Sequence, residues 1–78
     1  MENEHPFDLL TGTQQHRLIM AVQFEYGRNK PLPYYLRVRH AVRKHFSKLT
    51  FLSFEELVNA ARYSSAVKTE IRYLSAAY

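Results

Sequence analysis

The stretch Pro33 to Leu49 constrains this chain more than any other. Wound as a helix at about 100° per residue, it gathers Tyr34, Tyr35, Val38, Ala41, Val42, Phe46 and Leu49 on one side. Arg37, Arg39, His40, Arg43, Lys44 and Lys48 fall on the other. Such a segment reads as a helix that lays one face on a core and turns a basic face outward. Pro33 suits the first helical position, where a missing N–H removes no intrahelical bond and φ is already helical. The predicted basic helix covers 33–49.

The basic face has no acidic residue near it in sequence. Between Arg28 and Lys48 there are seven Lys or Arg and no Asp or Glu; the rest of the chain carries four basic and seven acidic residues. The net charge of +4 is therefore the remainder of a strong local excess. Surface helices ordinarily mix signs, because like charges four residues apart cost a few tenths of a kcal/mol. Arg39 with Arg43, and Lys44 with Lys48, are two such pairs. The bland reading is a solvated face, and the functional reading is a docking surface for an anionic partner.

Other segments take their places around this helix. Residues 1–6 are polar and end in proline, as expected of a frayed terminus. Phe7, Leu9 and Leu10 precede Thr11-Gly12-Thr13, in which Thr13 is the expected N-cap of a helix from Gln14 to Tyr26, stopped at Gly27. Leu18, Ile19, Val22 and Tyr26 share one face of it, Met20 and Phe24 project elsewhere, and the polar strip is narrowed to Gln23 and Glu25. A helix apolar on most sides is expected at the centre, with Met20 and Phe24 as the alternative seam of a homodimer. Pro31 and Pro33 hold the following linker extended.

After Thr50-Phe51-Leu52, the run Ser53-Phe54-Glu55-Glu56 reads as a capping box, with the Glu56 side chain returning to the Ser53 N–H. A third helix over Phe54 to Arg62 buries Phe54, Leu57, Val58 and Ala61. A fourth, over Ala66 to Ala77 and capped by Ser64 or Ser65, has the seam Val67, Ile71, Leu74 and Tyr78. No β alternation of useful length occurs. With 46% hydrophobic residues and only two glycines, the expected fold is all-α: a compact four-helix single domain over 1–78.

The pair over 53–77 resembles the helix-turn-helix of DNA-binding domains, on Glu56-Leu57, Asn59-Ala60-Ala61, the turn Tyr63-Ser64-Ser65, and Val67, Ile71 and Leu74. In that motif a second helix enters the major groove. Two features depart from it: the interval from Leu57 to Val67 is one residue short, and Arg62 stands where a turn glycine is usual. Ordinary helix packing yields the same apolar spacing. The resemblance implies that Lys68, Thr69, Arg72 and Ser75 face bases or phosphates, with Glu70 nearer the packed side. Tyr34 and Tyr35 offer rings for stacking on exposed bases.

Catalysis and metal binding find little support. There is no cysteine. His40 and His45 are five apart on one helix and point to different sides, whereas ligation from one face needs three or four. Glu55 and Glu56 diverge and belong to a helix start, so no catalytic residues, cofactor or metal are expected. The longest apolar run is Leu18 to Val22, too short to cross a membrane, and Met1 to Pro6 lacks the pattern of a leader. The expectation is a cytoplasmic, non-enzymatic protein that binds nucleic acid, double-stranded DNA first, through Arg37, Arg39, His40, Arg43, Lys44, Lys48, Lys68 and Arg72. The alternative is a small adaptor or inhibitor that docks the basic helix on an acidic protein surface.

Overall fold

The computed structural model describes residues 5–26 and 32–76, all of them in helices, turns and connecting segments. The helices are α1 (Gly12–Tyr26), α2 (Leu32–Lys44), α3 (Phe54–Arg62) and α4 (Ser65–Ala76). Short 3-10 turns occupy Pro6–Leu9 and Phe46–Lys48. Over the described residues the fold is an all-α single domain of four helices.

Local chemistry accounts for most element ends. Thr11, and not Thr13, starts α1: its hydroxyl accepts from the Gln14 N–H at 3.1 Å while Gln14 Oε1 accepts from the Thr11 N–H at 3.0 Å. This is a reciprocal capping box, Thr-x-x-Gln, and it places the helix start two residues ahead of the expectation. His5 and Pro6, expected to fray, begin a 3-10 turn in which His5 Nδ1 accepts from the Phe7 N–H. The predicted stop at Gly27 lies outside the described residues.

The basic helix is shorter than its amphipathic pattern. It ends at Lys44, and the Phe46–Lys48 stretch tightens into a 3-10 turn in which Lys48 and Leu49 N–H groups bond to His45 and Phe46 carbonyls. This tightening satisfies carbonyls that a helix end would leave open. It also sets Phe46 edge-to-face between Phe7, at 5.7 Å between centroids, and Phe51, at 5.8 Å. Three aromatic rings thus close one end of the core.

In α3, the Ser53 hydroxyl accepts from the Glu56 N–H, as expected. The Glu56 carboxylate takes the Leu52 N–H at 2.7 Å instead of that of Ser53, so the box is displaced by one residue and still satisfies two donors. Ser64 caps α4, accepting from the Val67 N–H.

The packing has two central helices, not one. The α1 helix packs against both α2 and α3, and α2 packs against both α1 and α4. The buried cluster joins Leu18, Ile19 and Val22 of α1 to Val38, Ala41 and Val42 of α2. Leu57 and Ala61 of α3, Val67 and Ile71 of α4, and Phe7 and Phe46 complete it. Tyr34, Tyr35 and Leu49 lie partly buried against this cluster, so the predicted inner face of α2 holds throughout. The α1 face differs: Gln23 is buried and its Oε1 finds no donor among the described residues, while Met20 and Phe24 are exposed. Only Tyr63 and Ser64 separate α3 from α4, which lean on different partners.

Two substitutions test this account. Ser53→Ala should lower stability by about 0.5–2 kcal/mol through removal of the cap. Gly12→Ala should raise it by up to about 1 kcal/mol, because an added Cβ meets nothing within 4 Å and an unfolded-chain freedom is removed. Urea midpoints of both variants against the parent check the two signs.

Candidate anion-binding face

The outer side of α2 is where the sequence places its charge, and its residues divide by neighbour. Toward the Pro6–Leu9 turn and α1, Arg43 makes a two-pronged contact with Asp8, Nη2 to Oδ2 at 2.8 Å and Nε to Oδ1 at 3.2 Å. Beside it, Arg39 lies 5.4 Å over the Phe7 ring and donates to Gln15 Oε1 at 3.5 Å. Gln15 in turn donates to the Phe7 and Leu10 carbonyls, fastening the N-terminal turn to α1. Toward α4, Lys44 Nζ and His45 Nε2 both reach the Glu70 carboxylate, at 3.3 and 3.2 Å. His40 and Leu36 stand exposed along the ridge between these flanks.

The basic face is therefore not left without acids, contrary to its sequence neighbourhood. Asp8 and Glu70 arrive from elements 35 and 26 residues away from Arg43 and Lys44. Both carboxyls are held below their ordinary pKa values. For Asp8 the chief cause is the hydrogen bond from Arg43, and for Glu70 it is that from His45, followed by Lys44. Arg43 is correspondingly raised by Asp8. The expected like-charge repulsion is also relieved: Arg43 faces its own carboxylate, and Lys48 lies beyond the end of the α-helix, no longer one turn above Lys44.

The remaining predicted residues are scattered. Arg37 is half-buried. Lys48 is exposed on the second 3-10 turn. Lys68 and Arg72, four apart, share one edge of α4, whereas Glu70 marks the edge turned to α2. The cations of α2 and those of α4 thus do not merge into one continuous face. Thr69 is exposed beside Lys68, and Ser75 lies outside the described side chains. Tyr34 and Tyr35 are partly buried at the core edge, and Tyr35 Oη is hydrogen-bonded to His16 Nδ1 at 3.0 Å.

Sequence reasoning missed a shallow depression on α2, lined by Asp8, Leu36, Arg39, His40 and Arg43. Its one signal was Leu36, an apolar residue in the middle of the basic side. Among the described residues no three His, Asp or Glu side chains cluster as metal ligands, and no helix is long and apolar enough to cross a membrane. Compared with family models, with characterised proteins and with solved structures, the chain matches none.

The carboxylate clips set a direction for acid sensitivity. Asp8 and Glu70 titrate lower in the folded protein than their unfolded values of about 4. The stability they contribute is thus present above that pH and disappears as pH falls through their folded values. Thermal midpoints measured from pH 6 down to 2 should decline most below about pH 4. The double variant Asp8→Asn, Glu70→Gln should start lower and decline less.

Proposed function

We propose that this protein is a small non-catalytic nucleic-acid-binding factor of the cytoplasm, a regulator or accessory protein whose first ligand is double-stranded DNA. One observation carries the reading. All five described carboxylates have internal work: Asp8 holds Arg43, Glu25 holds Arg62, Glu55 faces Arg17, Glu70 holds Lys44, and Glu56 caps α3. Among the described residues no carboxylate is left for Arg39, Lys48, Lys68 or Arg72. Positive charge beyond these pairs accordingly sits, among the described residues, on Arg39, Lys48, Lys68 and Arg72, with Asp8 also in Coulombic reach of Arg39. Phosphates are the natural complement, because each one neutralised releases condensed counterions whatever the base sequence.

In this reading Arg39 and Lys48 contact backbone phosphate, with His40 beside them. Lys68 and Arg72 form a separate patch on α4, the helix that a helix-turn-helix would present to the groove. Arg43 and Lys44 serve by position more than by charge, since Asp8 and Glu70 already compensate them. Leu36, 54% exposed amid these cations, favours the second reading. An apolar centre ringed by arginine suits an acidic protein surface, where fully desolvated contacts concentrate binding energy.

A salt titration on random duplex DNA separates the two. The double variant Arg39→Gln, Lys48→Gln should bind every sequence more weakly, and the slope of log K against log salt should shrink by about 0.9 for each phosphate the variant no longer neutralises. Lys68→Gln with Arg72→Gln should change sequence preference as well, if α4 reads bases. An unaltered slope in both variants overturns the nucleic-acid reading. Leu36→Ala abolishing capture of a nuclease-resistant protein partner supports the adaptor.

A further inference from the structure

The face made by α1 and α3 has a charge pattern that fits a second copy of itself. The two helices run parallel, tied at one end by Arg17 and Glu55 at 4.0 Å and at the other by Glu25 and Arg62 at 2.9 Å. Along α1 the sign goes from positive to negative, and along α3 from negative to positive. The four corners of the face thus alternate like a checkerboard. Between them lies a groove lined by His16, Arg17, Met20, Ala21, Phe24 and Arg62, with Met20 41% and Phe24 56% exposed.

We propose that this face is the interface of a two-fold symmetric dimer, with Met20 and Phe24 at its centre and the Arg17, Glu25, Glu55 and Arg62 corners around them. The argument is one of complementarity. A two-fold axis lying in the face, whether along the helices or across them, sets each positive corner of one copy on a negative corner of the other. An isologous interface must be self-complementary in this way. A partner of uniform charge, nucleic acid or an acidic peptide, meets repulsion at two of the four corners.

Apolar residues at the centre and charged residues at the rim also follow the anatomy of protein interfaces. The corner ions are already paired within each copy, so no single charge is stripped of its hydration without a partner. The basic side of α2 takes no part in this face, and dimerisation therefore stands apart from the nucleic-acid reading. It is measured with no nucleic acid present.

The test is self-association of the purified chain. By sedimentation equilibrium the weight-average mass should rise from 9.2 kDa toward twice that value between about 10 µM and 1 mM, the range of a small interface. Met20→Glu and Met20→Lys should each raise the dissociation constant at least about tenfold, the step that 1.4 kcal/mol produces, while leaving the thermal midpoint of the dilute monomer unchanged. A variant carrying Arg17→Glu, Glu55→Arg, Glu25→Arg and Arg62→Glu keeps both internal pairs and inverts every corner. It should dimerise with itself and exclude the isotope-labelled parent. A parent that stays at 9.2 kDa throughout, or Met20 variants that associate as the parent does, overturns the proposal and leaves the groove to a different chain. Free mixing of the two charge patterns overturns the corner pairing.

Discussion

The contact between α1 and α2 is the interaction on which the other elements depend. Leu18, Ile19 and Val22 meet the inner face Val38, Ala41 and Val42, and every other helix is anchored to one member of this pair. In a chain of 78 residues the buried fraction is small and the margin over chain entropy is thin. Loosening the packing between these two helices would release both outer helices at once. A charge at Val42 or Phe46 would be buried with no counter-ion, the kind of change such a core tolerates least.

Electrostatics then organises the outside. The described carboxylates are spent on holding elements together: Asp8 ties the N-terminal turn to α2, Glu70 ties α4 to α2, and Glu25 and Glu55 bracket α1 and α3. These pairs lie at or near the surface, where each adds little stability. Their larger effect is on distribution. By neutralising Arg43 and Lys44 they divide what looks in sequence like one basic stripe. They leave positive charge at Arg39 and Lys48, and separately at Lys68 and Arg72.

The molecule consequently has two surfaces of different character. The α2 side carries cations, Arg39 and Lys48, that no described carboxylate pairs, and is the side proposed for a partner of one sign. The α1/α3 side, with alternating corners and an apolar centre, is suited to its own copy. A dimer formed through the second would present the first twice, and if each such face binds phosphate weakly, as proposed, joining two would raise the effective affinity of the pair when geometry lets both engage.

Much of the fold was legible because its signals are local. The 3.6-residue period of Val38, Ala41 and Val42, and the Ser53 cap of α3, involve residues within a turn or two of each other. The Thr11–Gln14 box was equally local, and Thr13 drew attention from it only because two threonines flank Gly12. Direction in α1 was harder. The wheel marked Leu18, Ile19 and Val22 as one face, and the core buries all three. With apolar groups on most sides, it could not say that Gln23 goes in while Met20 and Phe24 stay out; packing decided that. The charge pairing lay beyond sequence altogether. Asp8 meets Arg43 across 35 residues and Glu70 meets Lys44 across 26, because helix crossing, not chain distance, sets which side chains come within 4 Å. Sequence by itself determined that this chain is helical and that α2 is amphipathic and basic. Tertiary structure decided which of those cations meet a carboxylate, Arg43 and Lys44, and which, among the described residues, do not, Arg39 and Lys48.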